Sequence, residues 1–98
     1  MTGWRSQACT SYGTLFINGA LRLCELNYSR TFSSADADKF YSWHTGAVPL
    51  EYRPNMQVNG SMNQVGVLYV DSNGEIGGKF ANAWSSSRLV KGTVNWHY

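Results

Sequence analysis

The chain is 98 residues long, with a formal charge of +2 and a charged fraction of 14%, well under the roughly 25% of an average globular protein. One domain, 1–98, is expected. Its cations, from Arg5 to Lys91, never gather into the basic stripe that a nucleic-acid partner needs. No run of about 18 apolar residues offers a membrane-spanning helix, and no charged segment followed by an apolar stretch predicts a signal peptide.

The chain reads as short strands separated by turns, with almost no helical period. Thr14 to Ile17 runs into Asn18-Gly19, the strongest two-residue hairpin signal, and Ala20 to Tyr28 returns. On that strand Ala20, Arg22, Cys24, Leu26 and Tyr28 share one face, and Leu21, Leu23, Glu25 and Asn27 the other. Apolar residues on both faces suggest a core on one side and a subunit contact on the other. Ser33 to Lys39 has the Ser and Asp residues that suit a helix start, so a turn or two of helix is expected there. Phe40, Tyr41 and Trp43 form an aromatic cluster that Gly46 ends.

Pro49 and Pro54 bracket a stiff, extended hinge in which Tyr52 is expected to be buried and Arg53 to bond nearby carbonyls or a carboxylate. Asn59-Gly60-Ser61 reads as a further turn. Val65 to Val70, the turn Asp71 to Gly74, and Glu75 to Phe80 form the next hairpin. Asn82 to Arg88 is a polar loop around Trp84. The last strand is Leu89 to Tyr98, with Val90, Val94, Trp96 and Tyr98 on one face. Six to eight strands at this spacing predict an all-β fold, a small antiparallel β-sandwich or jelly-roll-like barrel.

The residues that usually carry catalysis are scarce. His44 and His97 stand in no Ser-His-Asp, Cys-His or Glu-x-x-His pattern. Asp36, Asp38 and Asp71 make no complete calcium loop. Cys9 and Cys24 lack the spacing of a zinc site. One disulfide between them is open, while the pattern around Cys24 reads as a buried free thiol. No catalytic residue, metal ligand or cofactor is expected, and the chain is read as a non-enzyme. The sequons at Asn27 and Asn59 are read as incidental.

The segment Val48-Pro49-Leu50-Glu51-Tyr52-Arg53-Pro54, followed by the Val65–Val70 strand and its Gly74-turned hairpin, resembles the C-terminal heads of bacteriophage receptor-binding proteins of tail fibres and baseplates. Heads from phages of lactic-acid bacteria look similar over most of the chain. Trp4, the Gly13-led strand, the long strand ending near Tyr28 and the terminal Gly92-Thr93-Val94 match their pattern. The resemblance implies a trimeric, jelly-roll-like head that binds saccharide on the side of the trimer, near a subunit boundary. In some of those heads His, Asp and Trp on the central hairpin hold the sugar. Here that strand is Gln64 to Asp71, with Val67 and Tyr69 facing outward, so the site does not carry over. The family's shoulder and stem have no counterpart, so a head alone is expected.

The expected function is non-covalent recognition of a host cell-wall or surface polysaccharide during adsorption. The expected place is the virion's tail tip or baseplate, in a homotrimer beside other tail proteins. Nucleic acid and membrane are not expected partners. An aromatic face packs on a sugar's C–H face while amides and charges meet its hydroxyls. That chemistry makes Trp84 and Tyr69 the first candidates, with Asn82, Arg88 and Lys79 at the edge, and Trp43 and His44 next. The rival readings are a structural trimerisation module and a carbohydrate-binding module of a cell-wall hydrolase.

Overall fold

Alternation along the strands decides the architecture. In the computed structural model, which describes residues 3–98, eight strands form one curled, wholly antiparallel sheet. They are β1 (Trp4–Ala8), β2 (Gly13–Asn18), β3 (Leu23–Phe32), β4 (Phe40–His44), β5 (Val58–Met62), β6 (Gly66–Val70), β7 (Ile76–Phe80) and β8 (Arg88–His97). Their spatial order is β1-β2-β3-β8-β5-β6-β7-β4, which leaves β1 and β4 as edges. The all-β fold expected from the sequence is what forms.

The sheet folds over on itself at β5. Val58 to Gly60 pair with β6, whereas Ser61 and Met62 pair with β8. One short strand thus serves both halves. Asn59-Gly60-Ser61, expected as a turn, is strand instead. The glycine is there for proximity: a Cβ on Gly60 would collide with the Thr93 carbonyl. The connection to β6 comes later, around Asn63 to Val65.

The core lies between the two halves. Leu15 and Ile17 from β2, Cys24, Leu26 and Tyr28 from β3, and Val94 and Trp96 from β8 face Leu68, Val70 and Ile76 from the other half. The registers agree with this, since Leu15 opposes Leu26 and Leu26 opposes Val94. A second cluster of Ala35, Phe80, Trp84 and Val90 fills one end. Cys9 and Cys24 are both free thiols and Cys24 is buried, as its alternation suggested. Burial pushes the Cys24 thiol up to about 11.

Three local expectations change. The first hairpin does not turn at Asn18-Gly19 alone, because Asn18 opposes Leu23 and four residues intervene. The buried Asn18 side chain accepts from the Leu21 amide at 3.1 Å. Arg22, not the glycine, takes the left-handed conformation at φ 50°. Ser33 to Lys39 forms no helix; Ala35 makes an isolated bridge with Trp84, and Asp38 turns the chain at φ 55°. The Pro-bracketed hinge is not extended throughout, since Leu50–Tyr52 forms one 3-10 turn between the prolines.

The hinge nevertheless does what its sequence predicts. Tyr52 is only 8% exposed. Its ring meets Tyr98 edge-on at 5.2 Å, its hydroxyl accepts from Arg5, and its carbonyl accepts from the Trp96 indole at 2.7 Å. Arg53 Nε donates to the Val48 carbonyl at 2.8 Å. The hinge therefore ties β1, β8 and the C-terminus together. Replacing Tyr52→Ala should cost about 3–5 kcal/mol, as for other aromatic truncations in cores, and urea denaturation measures it. An unchanged unfolding midpoint would mean that the hinge carries no packing.

Candidate functional site

The aromatic residues favoured in the sequence are mostly structural. Trp84 is 8% exposed. Its ring meets Phe80 at 4.5 Å, its indole N–H donates to the Phe32 carbonyl at 3.4 Å, and Arg88 covers it at 5.2 Å. The loop around Trp84 is polar because its neighbours face water, while the tryptophan turns inward to close the end of the core. Tyr69 is 6% exposed and lies along Gly77, where a Cβ would collide with its ring. Its hydroxyl donates to the Tyr41 carbonyl at 3.2 Å. Burial first, and then the nearby Glu75 carboxylate, raise its phenol above the usual range.

These residues also stand on different sides of the sheet. Lys79 pairs with Val67 and Phe40 on the outer side, and its ammonium lies 5.0 Å from the Phe40 ring centre. Asn82 is exposed beyond β7. Trp84 packs inside with Phe80 and Val90. Trp84 therefore stands apart from the outer side, where Tyr69 and Lys79 come together around the Phe40 ring.

Trp43 and His44 also serve the interior. Trp43 sits at a bulge in β4, between the pairs Ser42–Gly77 and His44–Ile76. Its ring stacks on Tyr28 at 5.6 Å and 8°. His44 Nε2 lies 2.8 Å from the Tyr28 hydroxyl, which Arg30 approaches at 3.5 Å. Arginine only donates, so the tyrosine accepts from it, and its own O–H is free to donate to a neutral His44. Burial, and secondarily the Arg30 charge, hold the His44 imidazole below its ordinary range, which agrees with that direction.

A different feature has the shape of a binding site. A groove of about 690 Å³ runs over the outer side of β2, β3, β8 and β5, within the roughly 300–1,000 Å³ usual for ligand clefts. Its floor is a lateral row across four strands, Thr14–Asn27–Thr93–Ser61, each paired with the next in register. Ser29 and Lys91 form the next row. These side chains are hydroxyls, one amide and one ammonium. The Asn63 amide is spent on the framework, donating to the Leu89 carbonyl at 3.0 Å and accepting from the Lys91 amide at 2.9 Å.

Tyr12 forms the groove's aromatic wall and is 43% exposed. Its position is fixed from behind. The Arg30 guanidinium lies 4.6 Å from the Tyr12 ring centre and 4.8 Å from that of Phe32. The Tyr12 carbonyl accepts from the Ser29 amide at 2.9 Å, and its amide donates to Thr10 Oγ1 at 3.0 Å. Arg30 is thus a positioning residue that links the exposed ring to the Tyr28–His44 pair in the core. Sequence reasoning passed over this groove because its parts are small polar residues spread from Thr14 to Thr93. The available signal was the polar outer positions on strands that alternate cleanly.

Among the described residues, no three His, Cys, Asp or Glu side chains gather as a metal site. No protein-family model matches the chain, and comparison with curated proteins gives no match either.

Trp84→Ala should behave as a core truncation and lower stability by about 3–5 kcal/mol. Thermal melts of the variant check this, and an unchanged melting temperature would return Trp84 to the surface.

Proposed function

We propose that this chain is a saccharide-recognition head of the phage receptor-binding kind, holding a host surface glycan non-covalently in the groove over β2, β3, β8 and β5. The observation that carries the reading is the groove's chemistry. Neutral hydroxyl and amide groups on Thr14, Asn27, Ser29, Ser61 and Thr93 face one open cleft beside a half-exposed tyrosine. Sugars present the matching pattern of hydroxyls around an apolar C–H face. Lys91 adds one cation at the end away from Glu25. The low charge of the whole chain fits a partner recognised by hydrogen bonds and stacking rather than by field.

A homotrimer in a tail tip or baseplate belongs to the same reading. The two-faced apolar strand that suggested it is less apolar than its sequence implied, since Leu21 falls in the turn before β3 and Glu25 and Asn27 face outward beside Leu23. Exposed apolar side chains stand elsewhere, with Phe40 at 62% on the outer side of β4. That side, with Val67 in register beside Lys79 and Phe40, is the better subunit contact. Three weak sites per head would then act together through avidity.

Two measurements test this. A microbial glycan array should give saccharide hits that Tyr12→Ala weakens by about 1–3 kcal/mol, on the scale of aromatic stacking on nucleobases. Melting of the variant serves as the folding control, and an array without hits would favour a purely structural module. Sedimentation at tens of micromolar protein should show a trimer, a concentration well above most specific dissociation constants. A monomer that still binds sugar would favour a carbohydrate-binding module of a hydrolase.

A further inference from the structure

The groove does not end at Thr14. On the same outer side, two residues further along β2, Phe16 lines a second depression of about 200 Å³ with Trp4, Arg5 and Ser6. Thr14 and Phe16 are same-face neighbours, about 7 Å apart along the strand. The registers show that the strands between the two depressions are continuously paired. Ser6 opposes Phe16, Phe16 opposes Glu25 and Glu25 opposes Asn95, one row beyond the groove's floor. From Ser61 on β5 to Trp4 on β1 the face crosses four strand spacings, about 20 Å.

We infer that the groove and the Trp4–Phe16 depression are two ends of one binding face that takes several consecutive sugar units of a polysaccharide chain rather than a single terminal sugar. The inference rests on the saccharide reading above. Both ends are aromatic, with Tyr12 at one and Phe16 and Trp4 at the other. Between them lie polar, half-buried positions: Thr14, Glu25 and Asn27. Aromatic shelves separated by hydrogen-bonding groups suit a chain that lays successive rings along a sheet. A site for one sugar needs one shelf, and the second would then be without use. Glu25 adds an acceptor pair that suits vicinal hydroxyls in the middle of such a chain.

The test uses the bacterial polysaccharide that scores highest on the array, partially hydrolysed with acid and separated by size. Binding of each fragment is measured by calorimetry for the unaltered head and for Ser6→Trp. Ser6 is exposed on the edge strand, so the new ring fills the depression without removing any packing. Affinity of the unaltered head should rise with fragment length and then level off. Ser6→Trp should bind the shortest fragments normally and lose the gain with length, by about fivefold or more on the scale of one stacked ring. Trp4→Ala should show the same selective loss. Affinity independent of length, or full retention of the gain in both variants, would overturn the extended face while leaving the groove intact. A change in sedimentation of Ser6→Trp without a change in fragment affinity would make this face a subunit contact and also overturn it. Absence of binding by any fragment or by the parent polymer would remove the saccharide reading and this inference with it.

Discussion

The close approach of β5 to β8 at Gly60 and Thr93 is the constraint on which the rest of the molecule depends. A side chain on Gly60 would occupy the place of the Thr93 carbonyl. Because nothing is there, β5 can leave β6 after Gly60 and join β8 at Ser61. The sheet then bends instead of running on flat, and its two halves face each other across Leu26, Leu68, Val70 and Val94. Glycine in a strand usually weakens it, and where it recurs it marks a bend or a close backbone approach. Here it does both. The same junction sets Thr93 beside Ser61, so the bend that makes the core also makes the floor of the groove.

Rigidity in the candidate site comes from a chain of rings and cations that begins in the core. Trp43 stacks on Tyr28, Tyr28 meets His44, and Arg30 lies between Phe32 and Tyr12. Each contact alone contributes modestly, with an exposed cation–π pair at about 0.5–1 kcal/mol. Together they leave the Tyr12 ring few alternative positions. A ring already held in place loses little entropy when a ligand packs on it. Arg30 has no carboxylate partner among the described ion pairs, and its charge is spent on aromatic faces and on the Tyr28 hydroxyl. Burial, and after it that same charge, lower the His44 pKa, which disfavours a second cation in the network.

The fold was legible where alternation and turn chemistry agree. Cys24, Leu26 and Tyr28 went inward together, as did Val90, Val94 and Trp96, each set sharing the face its period predicts, and the Asp71–Gly74 turn formed where its glycine stands at φ 85°. Tyr52 and Arg53 were legible because two prolines limit what the hinge can do. The two turn signals failed for different reasons. At Asn18-Gly19 the Asn18 side chain holds a longer turn through the Leu21 amide. Asn59-Gly60-Ser61 is a turn signal only if no neighbouring strand needs the glycine. At Gly60 the neighbour was β8, more than thirty residues away in sequence, and no local pattern carries that information. Trp84 failed in the same way. Its polar neighbours described the loop, and its partner Phe80 and the Ala35 bridge described the residue.

The groove was invisible for a further reason, which concerns how a sheet builds a polar site. Thr14, Asn27, Thr93 and Ser61 come from four strands and are each unremarkable alone. Register turns them into a row, and register is a property of pairing rather than of any one segment. Sites built this way differ from sites on loops. Their groups cannot move independently, because each side chain stands on a backbone already paired into the sheet, Thr14, Asn27 and Thr93 on both sides and Ser61 with β8. They also tolerate exposure without charge, since small hydroxyls and amides stay hydrated until a ligand replaces the water. A surface with few charges and many fixed neutral donors gains little from long-range attraction and discriminates by fit at contact. That is the regime in which weak single contacts matter only when many are made at once, along a chain or across copies.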